Sequence, residues 1–511
     1  MLQEMELFLK THKKAALLNV IAVCICYFHM AFSENIGIDT EALMINEPNM
    51  LQSWNAIGRQ GLGLTKILFN LEHYNPYFSG VLFLVTFILL GLSVAFLCWI
   101  ASGRNDNYPY GLFLILFSTC PVWIYQFYFS MQRTEVLLGL LYAVCSAFAL
   151  CQMVFYQEYK IYWILIWLLL GIWSFCSYQG SVMFYIGLCI VFFLLDFAQS
   201  YMNTDWKKYA ANIGKLMGGF LIVYVINTVA TRLLFGVGEY TQSQIVWGRV
   251  EFLEIVRSLF IHIKAILVWQ GLQFRSPYPL AGLCLALLFL AFCMKREIKK
   301  SVKFILFLAF AGLMASPFLL HIYLGNIPVP RSQFVLQLVS AFGCMFAYGI
   351  WEMQPEKRYR WMQGGTIVMS VLMVWLSAQT IFRLQYTDDV RYKEDVRVAS
   401  HIWEEIQRTG KAKDLPVLFV GVYNNKLNDS SEGSDMFGGT FWGWDCSKEN
   451  PTGGTGRILG FLRTQGLTVN STNKYREEAV QRSETMKCYP EPGYIEVEDD
   501  FVVVKLSDVG E

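Results

Sequence analysis

Apolar runs long enough to cross a lipid bilayer follow one another from Ala15 to Phe382, and no other feature restricts the fold of this chain so strongly. A span needs about 20 apolar residues, because inside lipid a helix satisfies its own backbone groups and an irregular chain does not. About eleven such runs are present. They cover roughly Ala15 to Phe32, Phe78 to Ala101, Tyr110 to Phe127, Val136 to Phe155, Ile161 to Cys176, Ser181 to Phe197, Leu216 to Phe235, Tyr278 to Met294, Phe304 to Tyr323, Gln333 to Trp351 and Met362 to Phe382. A composition of 55% hydrophobic and 16% aromatic residues exceeds what a soluble domain can bury. The expected fold is a polytopic α-helical membrane protein. A net charge of +1 offers no basic surface, which argues against a nucleic-acid partner.

Basic residues set the expected orientation. Lys10, Lys13 and Lys14 precede the first run, Lys207, Lys208 and Lys215 separate the sixth from the seventh, Lys295, Arg296, Lys299, Lys300 and Lys303 the eighth from the ninth, and Lys357, Arg358 and Arg360 the tenth from the eleventh. By the positive-inside rule these loops are cytoplasmic, so a multi-pass plasma-membrane protein is expected, with its N-terminus inside and everything after Phe382 outside. The basic N-terminal segment and the triplet Ala31-Phe-Ser33 also fit a secretory signal. An apolar stretch of about 18 residues is long for such a signal, and cleavage there leaves the next loop on the same side.

Residues 1–382 therefore form a transmembrane domain, and 383–511 a small extracytoplasmic α/β domain, in this reading. Arg391 to Thr409 has the spacing of an amphipathic helix, Pro416 to Val422 of a buried strand, Gly454 to Gln465 and Lys474 to Met486 of helices, and Tyr494 to Val497 with Phe501 to Leu506 of a hairpin. All cysteines but Cys446 and Cys488 fall in or beside apolar runs, where a thiol behaves as a small hydrophobe. Those two share an extracytoplasmic domain, where the compartment permits a disulfide between them. The six histidines show no metal-ligand spacing.

The first outer loop, about 45 residues long, carries Ile36-Gly-Ile-Asp39-Thr-Glu41, then Trp54 and Ile57-Gly-Arg59. A carboxylate within reach of a sugar hydroxyl can remove its proton as that oxygen attacks an anomeric carbon, and Asp39 and Glu41 are the candidates. At the same expected level lie Gln132-Arg133-Thr134-Glu135, Tyr178-Gln179 and Arg331 after Ile327-Pro-Val-Pro330. The guanidinium of Arg331 is suited to hold a phosphate with paired hydrogen bonds. Tyr178 and Gln179 are suited to sugar hydroxyls. From Val246 to Leu267, apolar residues at helical spacing oppose Arg249, Glu251, Glu254, Arg257 and Lys264, an amphipathic helix expected in the outer interface.

These segments, with Pro330-Arg331-Ser-Gln333, Asp388, Pro416-Val-Leu-Phe-Val-Gly421 and Phe441-Trp442-Gly-Trp444-Asp445, resemble bacterial membrane glucosyltransferases of the serotype-converting glucosyl transferase (type II) family, in the GT-C class. The resemblance implies a GT-C-like scaffold and an inverting hexosyl transfer, with glucose the expected sugar. The implied donor is a sugar on undecaprenyl phosphate, supplied by an upstream synthase and flippase, and the implied acceptor is a cell-surface glycan. Carried onto this sequence, it makes Asp39 the first choice of base and Glu41 the second, places the donor phosphate on Arg331 or Arg59, and leaves Trp54, Glu135, Tyr178 and Gln179 for substrate. The resemblance leaves metal dependence open: many relatives manage without a metal, and Asp39, Glu41 and Glu135 have the chemistry to share a divalent cation. A transporter or lipid-linked-glycan flippase is the alternative, since about eleven spans also suit a permeation path. Transporters place binding groups near the bilayer midplane, whereas here the acidic residues avoid the span centres and favour the enzyme. A glycan polymerase or ligase shares the donor chemistry and differs in its acceptor.

Overall fold

The computed structural model describes residues 1–200, 206–236, 243–272, 275–295, 298–354, 356–410, 414–425, 427–470 and 472–509. Arg296, counted above among the basic residues, lies outside them. The chain divides into two compact units: Met1–Phe32, Leu51–Phe127 and Gln132–Ile381 form one, and Ser33–Met50, Tyr128–Met131 and Phe382–Glu511 the other.

The first unit is helical. Among the described residues eight helices are long and apolar enough to cross a membrane: Lys13–Phe32, Pro76–Ala101, Arg133–Phe155, Gly180–Gln199, Trp206–Phe235, Lys300–Leu324, Phe334–Glu352 and Lys357–Arg408. The sequence suggests about eleven. Two of the remaining runs, Ile161–Phe175 and Tyr278–Met294, are shorter apolar helices. The third, Tyr110 to Phe127, is two short helices, Tyr110–Ser118 and Val122–Phe127. Pro121 explains the break: it has no backbone N–H to donate and it disfavours helical backbone at Cys120. The amphipathic stretch forms the helix Phe252–Val268, with Phe252, Leu253 and Phe260 exposed.

Phe334–Glu352 is the most enclosed of these helices, with nearly every side chain buried. Helix packing without a hydrophobic driving force relies on small residues and polar ties. At Gly80 a Cβ would lie 1.9 Å from the Ala31 carbonyl oxygen, so only glycine permits that approach. Ser118 Oγ donates to Asn19 Oδ1 at 2.6 Å, and Arg133 Nη1 donates to the Met30 carbonyl at 2.9 Å. Outward faces remain apolar, as at Leu233 and Val368, in keeping with a lipid environment.

In the second unit, strand β1 (Val417–Val420) pairs in parallel with β3 (Val502–Lys505), which pairs antiparallel with β2 (Ile495–Val497). Leu418, Val420 and Val503 meet Ala479, Met486 and Phe501 in a core closed by the helix Arg476–Ser483. The amphipathic segment from Arg391 is not a separate helix, because Lys357–Arg408 runs unbroken. Residues 383–390 contain neither glycine nor proline, so nothing there interrupts the backbone ladder. No disulfide joins Cys446 to Cys488 in this structure. Cys446 Sγ is turned instead to the Pro451 carbonyl oxygen at 3.2 Å, and Cys488 lies beside Asp508.

Candidate functional site

Asp39 and Glu41 belong to the second unit, where three arrangements hold them. Arg391, buried on the helix Lys357–Arg408, donates from both Nη1 and Nη2 to the Ile36 carbonyl at 3.1 Å. Its charge is matched by Asp388 and by Asp395 Oδ2, the latter at 3.2 Å. Asn35 Nδ2 donates to Asp389 Oδ1 at 2.7 Å, so the residues just before Asp39 are tied to the same helix. Gly37 is required at the next step, since a Cβ there would stand 2.4 Å from the Tyr128 ring.

Asp39 itself has φ 74 and begins the short helix Thr40–Ile45. Aspartate tolerates left-handed backbone better than most residues, yet the conformation costs energy and recurs at functional sites. An aspartate in this position commonly caps the helix by accepting a backbone N–H, but the Asp39 side chain makes no such bond. Its carboxylate is left for other work.

That carboxylate meets Arg457, from the helix Thr455–Thr464. Arg457 Nη1 lies 2.9 Å from Asp39 Oδ1 and donates to Glu41 Oε1 at 2.6 Å, while Nε donates to Asp445 Oδ2 at 2.6 Å. The two acids are not equivalent. The Asp39 side chain is 37% exposed and that of Glu41 only 2%. Burial pushes the Glu41 carboxyl above the ordinary carboxylate range against the pull of the Arg457 charge, and its Oε2 has no hydrogen-bond partner. Burial works against the charge on Arg457, but Asp39 and Glu41 overcome it and raise its pKa further. Glu41 thus anchors the arginine, and Asp39 is the accessible acid.

The other predicted residues lie in the first unit and form two groups. Arg59 Nε donates to Gln179 Oε1 at 3.2 Å, its guanidinium carbon sits 4.6 Å from the centre of the Tyr178 ring, and Gln179 Nε2 donates to the Ile57 carbonyl at 2.9 Å. Arg59, Tyr178 and Gln179 are therefore brought together. Lys66 Nζ pairs with Glu135 Oε1 at 2.7 Å, both side chains buried, and stands 5.6 Å from the centre of the Trp54 ring. Lys66 supplies the counter-charge that the buried Glu135 carboxylate needs. Trp54 is 3% exposed, and its ring accompanies that ion pair. Arg331 is half-buried on the turn Pro330–Ser332. Among the described residues no group of three or more His, Cys, Asp or Glu side chains is arranged to hold a metal ion.

Sequence reading gave Asp445 only as the end of a motif that carries the resemblance, and missed Arg457, Lys66 and the structural part played by Arg391. Only the last left a local trace: Asp388, Arg391 and Asp395 are spaced three and four apart, as helical ion pairs are.

The fold defines a helical membrane protein. The pattern of the glucosyl transferase GtrII family matches residues 28–348, and the chain belongs to that family, which makes it a glucosyltransferase. No curated protein and no solved structure matches the chain. The matched region includes Asp39, Glu41, Arg59, Tyr178, Gln179 and Arg331, and it ends before Arg391 and Arg457.

Proposed function

We propose that this glucosyltransferase carries a hexose from a polyprenyl-phosphate-linked donor to a cell-surface glycan at the extracytoplasmic face of the plasma membrane. Asp39 is the general base of an inverting transfer. The observation that carries this reading is the state of the Asp39 carboxylate: accessible, not spent on capping its helix, with Oδ1 held by Arg457. Oδ2 has no protein partner among the described residues and is available to accept a proton from an attacking sugar hydroxyl. As Oδ2 takes the proton, the hydroxyl oxygen bonds to the anomeric carbon on the face opposite the departing phosphate, whose C–O bond breaks, and the configuration is inverted.

The test is glycan analysis of cells with and without the intact protein, read for one missing side-branch hexose. An unaltered glycan accompanied by altered uptake of a solute selects the transporter reading and ends this one.

Arg331 is the proposed holder of the donor phosphate, with Arg59 as the second choice. A lysine keeps the charge but not the fork that grips two phosphate oxygens. Arg331→Lys is expected to weaken apparent donor affinity about tenfold or more, as for a hydrogen bond to a charged group. Acceptor affinity moves less. Steady-state kinetics with each substrate varied in turn check this, and wild-type donor kinetics assign Arg331 to the interface alone, where lysine reaches equally well.

A further inference from the structure

We infer that Arg457 is a positioning residue for the catalytic base, a fixed cation contributed by the C-terminal segment that aims the Asp39 carboxylate. The inference rests on the reading of Asp39 as base and extends it to a part of the chain beyond residue 348, where the family pattern stops.

Two of the three guanidinium nitrogens carry the contacts. Nε is fixed by Asp445 Oδ2 at 2.6 Å, and Nη1 is shared between Glu41 Oε1 at 2.6 Å and Asp39 Oδ1 at 2.9 Å. Two anchors thus define the plane of the guanidinium before Asp39 is considered, and the planar fork carries that orientation to the third carboxylate. The helix Thr455–Thr464, which carries Arg457, packs on the helix Thr40–Ile45, which Asp39 begins. Gly460, one turn beyond Arg457, allows that contact: a Cβ there would lie 3.1 Å from Glu41 Cγ. Glu41, almost fully buried, is the inner anchor, while Asp445, 52% exposed, is the outer one.

Asp39 gains what a base needs and its backbone does not supply. Its side chain makes no capping bond, so without Arg457 its rotamer has no restraint from a protein hydrogen bond among the described residues. With Oδ1 held, Oδ2 keeps one direction. An ammonium in place of the guanidinium is a point charge and cannot reproduce the fixed directions of the Nε and Nη1 contacts to three carboxylates.

The test uses the full-length protein in lipid nanodiscs with a polyprenyl-phosphate hexose as donor. Arg457→Ala is expected to lower kcat about tenfold or more, the worth of a charge-assisted hydrogen bond, with donor KM changed less than about twofold. Ethylguanidinium at low concentration restores part of the rate of Arg457→Ala and none of that of Asp39→Asn. Arg457→Lys remains impaired and is not rescued. Asp445→Gly, a change at an exposed residue whose left-handed backbone (φ 63) glycine adopts without strain, loses the outer anchor and lowers kcat in the same sense by a smaller factor. Wild-type kcat in Arg457→Ala overturns the inference. So does a loss that ethylguanidinium leaves untouched while thermal unfolding matches the wild type. If Arg457→Ala does not fold, unchanged kcat in Asp445→Gly together with full activity in Arg457→Lys overturns it instead. Asp39→Asn separates the two readings: activity there removes Asp39 as the base, whereas an inactive Asp39→Asn beside a fully active Arg457→Ala removes Arg457 alone.

Discussion

Asp39→Asn is expected to abolish turnover, lowering kcat about 10²-fold or more, while the protein folds and binds donor as the wild type does. The amide keeps the shape of the carboxylate and loses its basicity. Its oxygen takes the place of Oδ1 beside Arg457 Nη1, 2.9 Å away, so the contact survives as a weaker ion–dipole one. Single-turnover measurements with saturating donor separate the chemical step from binding. Glu41→Gln provides the internal comparison: Glu41 is buried against Arg457 and already disposed by burial to hold a proton. Its loss disturbs position more than proton transfer. An active Asp39→Asn together with an inactive Glu41→Gln transfers the role of base to Glu41, and activity in both variants removes this loop from catalysis.

The largest effect on stability is expected from Arg391→Met. Arg391 and Asp395 are fully buried and Asp388 nearly so, and removing the cation leaves two carboxylates without a counter-charge and the Ile36 carbonyl without its donors. Breaking a buried ion pair from one side costs about 3–5 kcal/mol. Amide hydrogen exchange over residues 34–45 and 388–396 is the suitable measure, since a chain of two units has no single unfolding free energy. Exchange in both segments accelerates together. Replacing Asp388 and Asp395 by asparagine in the same chain recovers part of the loss, because a neutral amide does not leave a buried charge. Wild-type protection in Arg391→Met alone shows that the network is not what holds the loop.

The scaffold and the candidate site were legible in the sequence to different degrees. Hydrophobic runs report burial in lipid directly, so most of the long apolar helices stand where the composition places them. The break at Pro121 and the continuity across residues 383–390 depend on single backbone constraints, and the sequence carries both: a proline in one case, the absence of any breaker in the other. Short strands such as Val417–Val420 and Val502–Lys505 follow from their β-branched residues. For the site, the loop Ile36 to Glu41 stands out as acidic residues just after an apolar run. Nothing in that loop distinguishes Asp39, accessible and bound at one oxygen, from Glu41, buried two residues later.

What the sequence determined alone is local: which segments are apolar enough for lipid, where helices start and stop, and which residue types are present to do acid–base or phosphate chemistry. Tertiary structure decided which of those residues are available. Glu135 and Trp54 share the surroundings of Lys66, which no local pattern ties to them, and Arg457 lies 416 positions from Glu41 and completes its surroundings. The physical reason is that a side chain's charge, exposure and hydrogen-bond partners belong to its neighbours in space. When those neighbours come from distant parts of the chain, no local pattern records them.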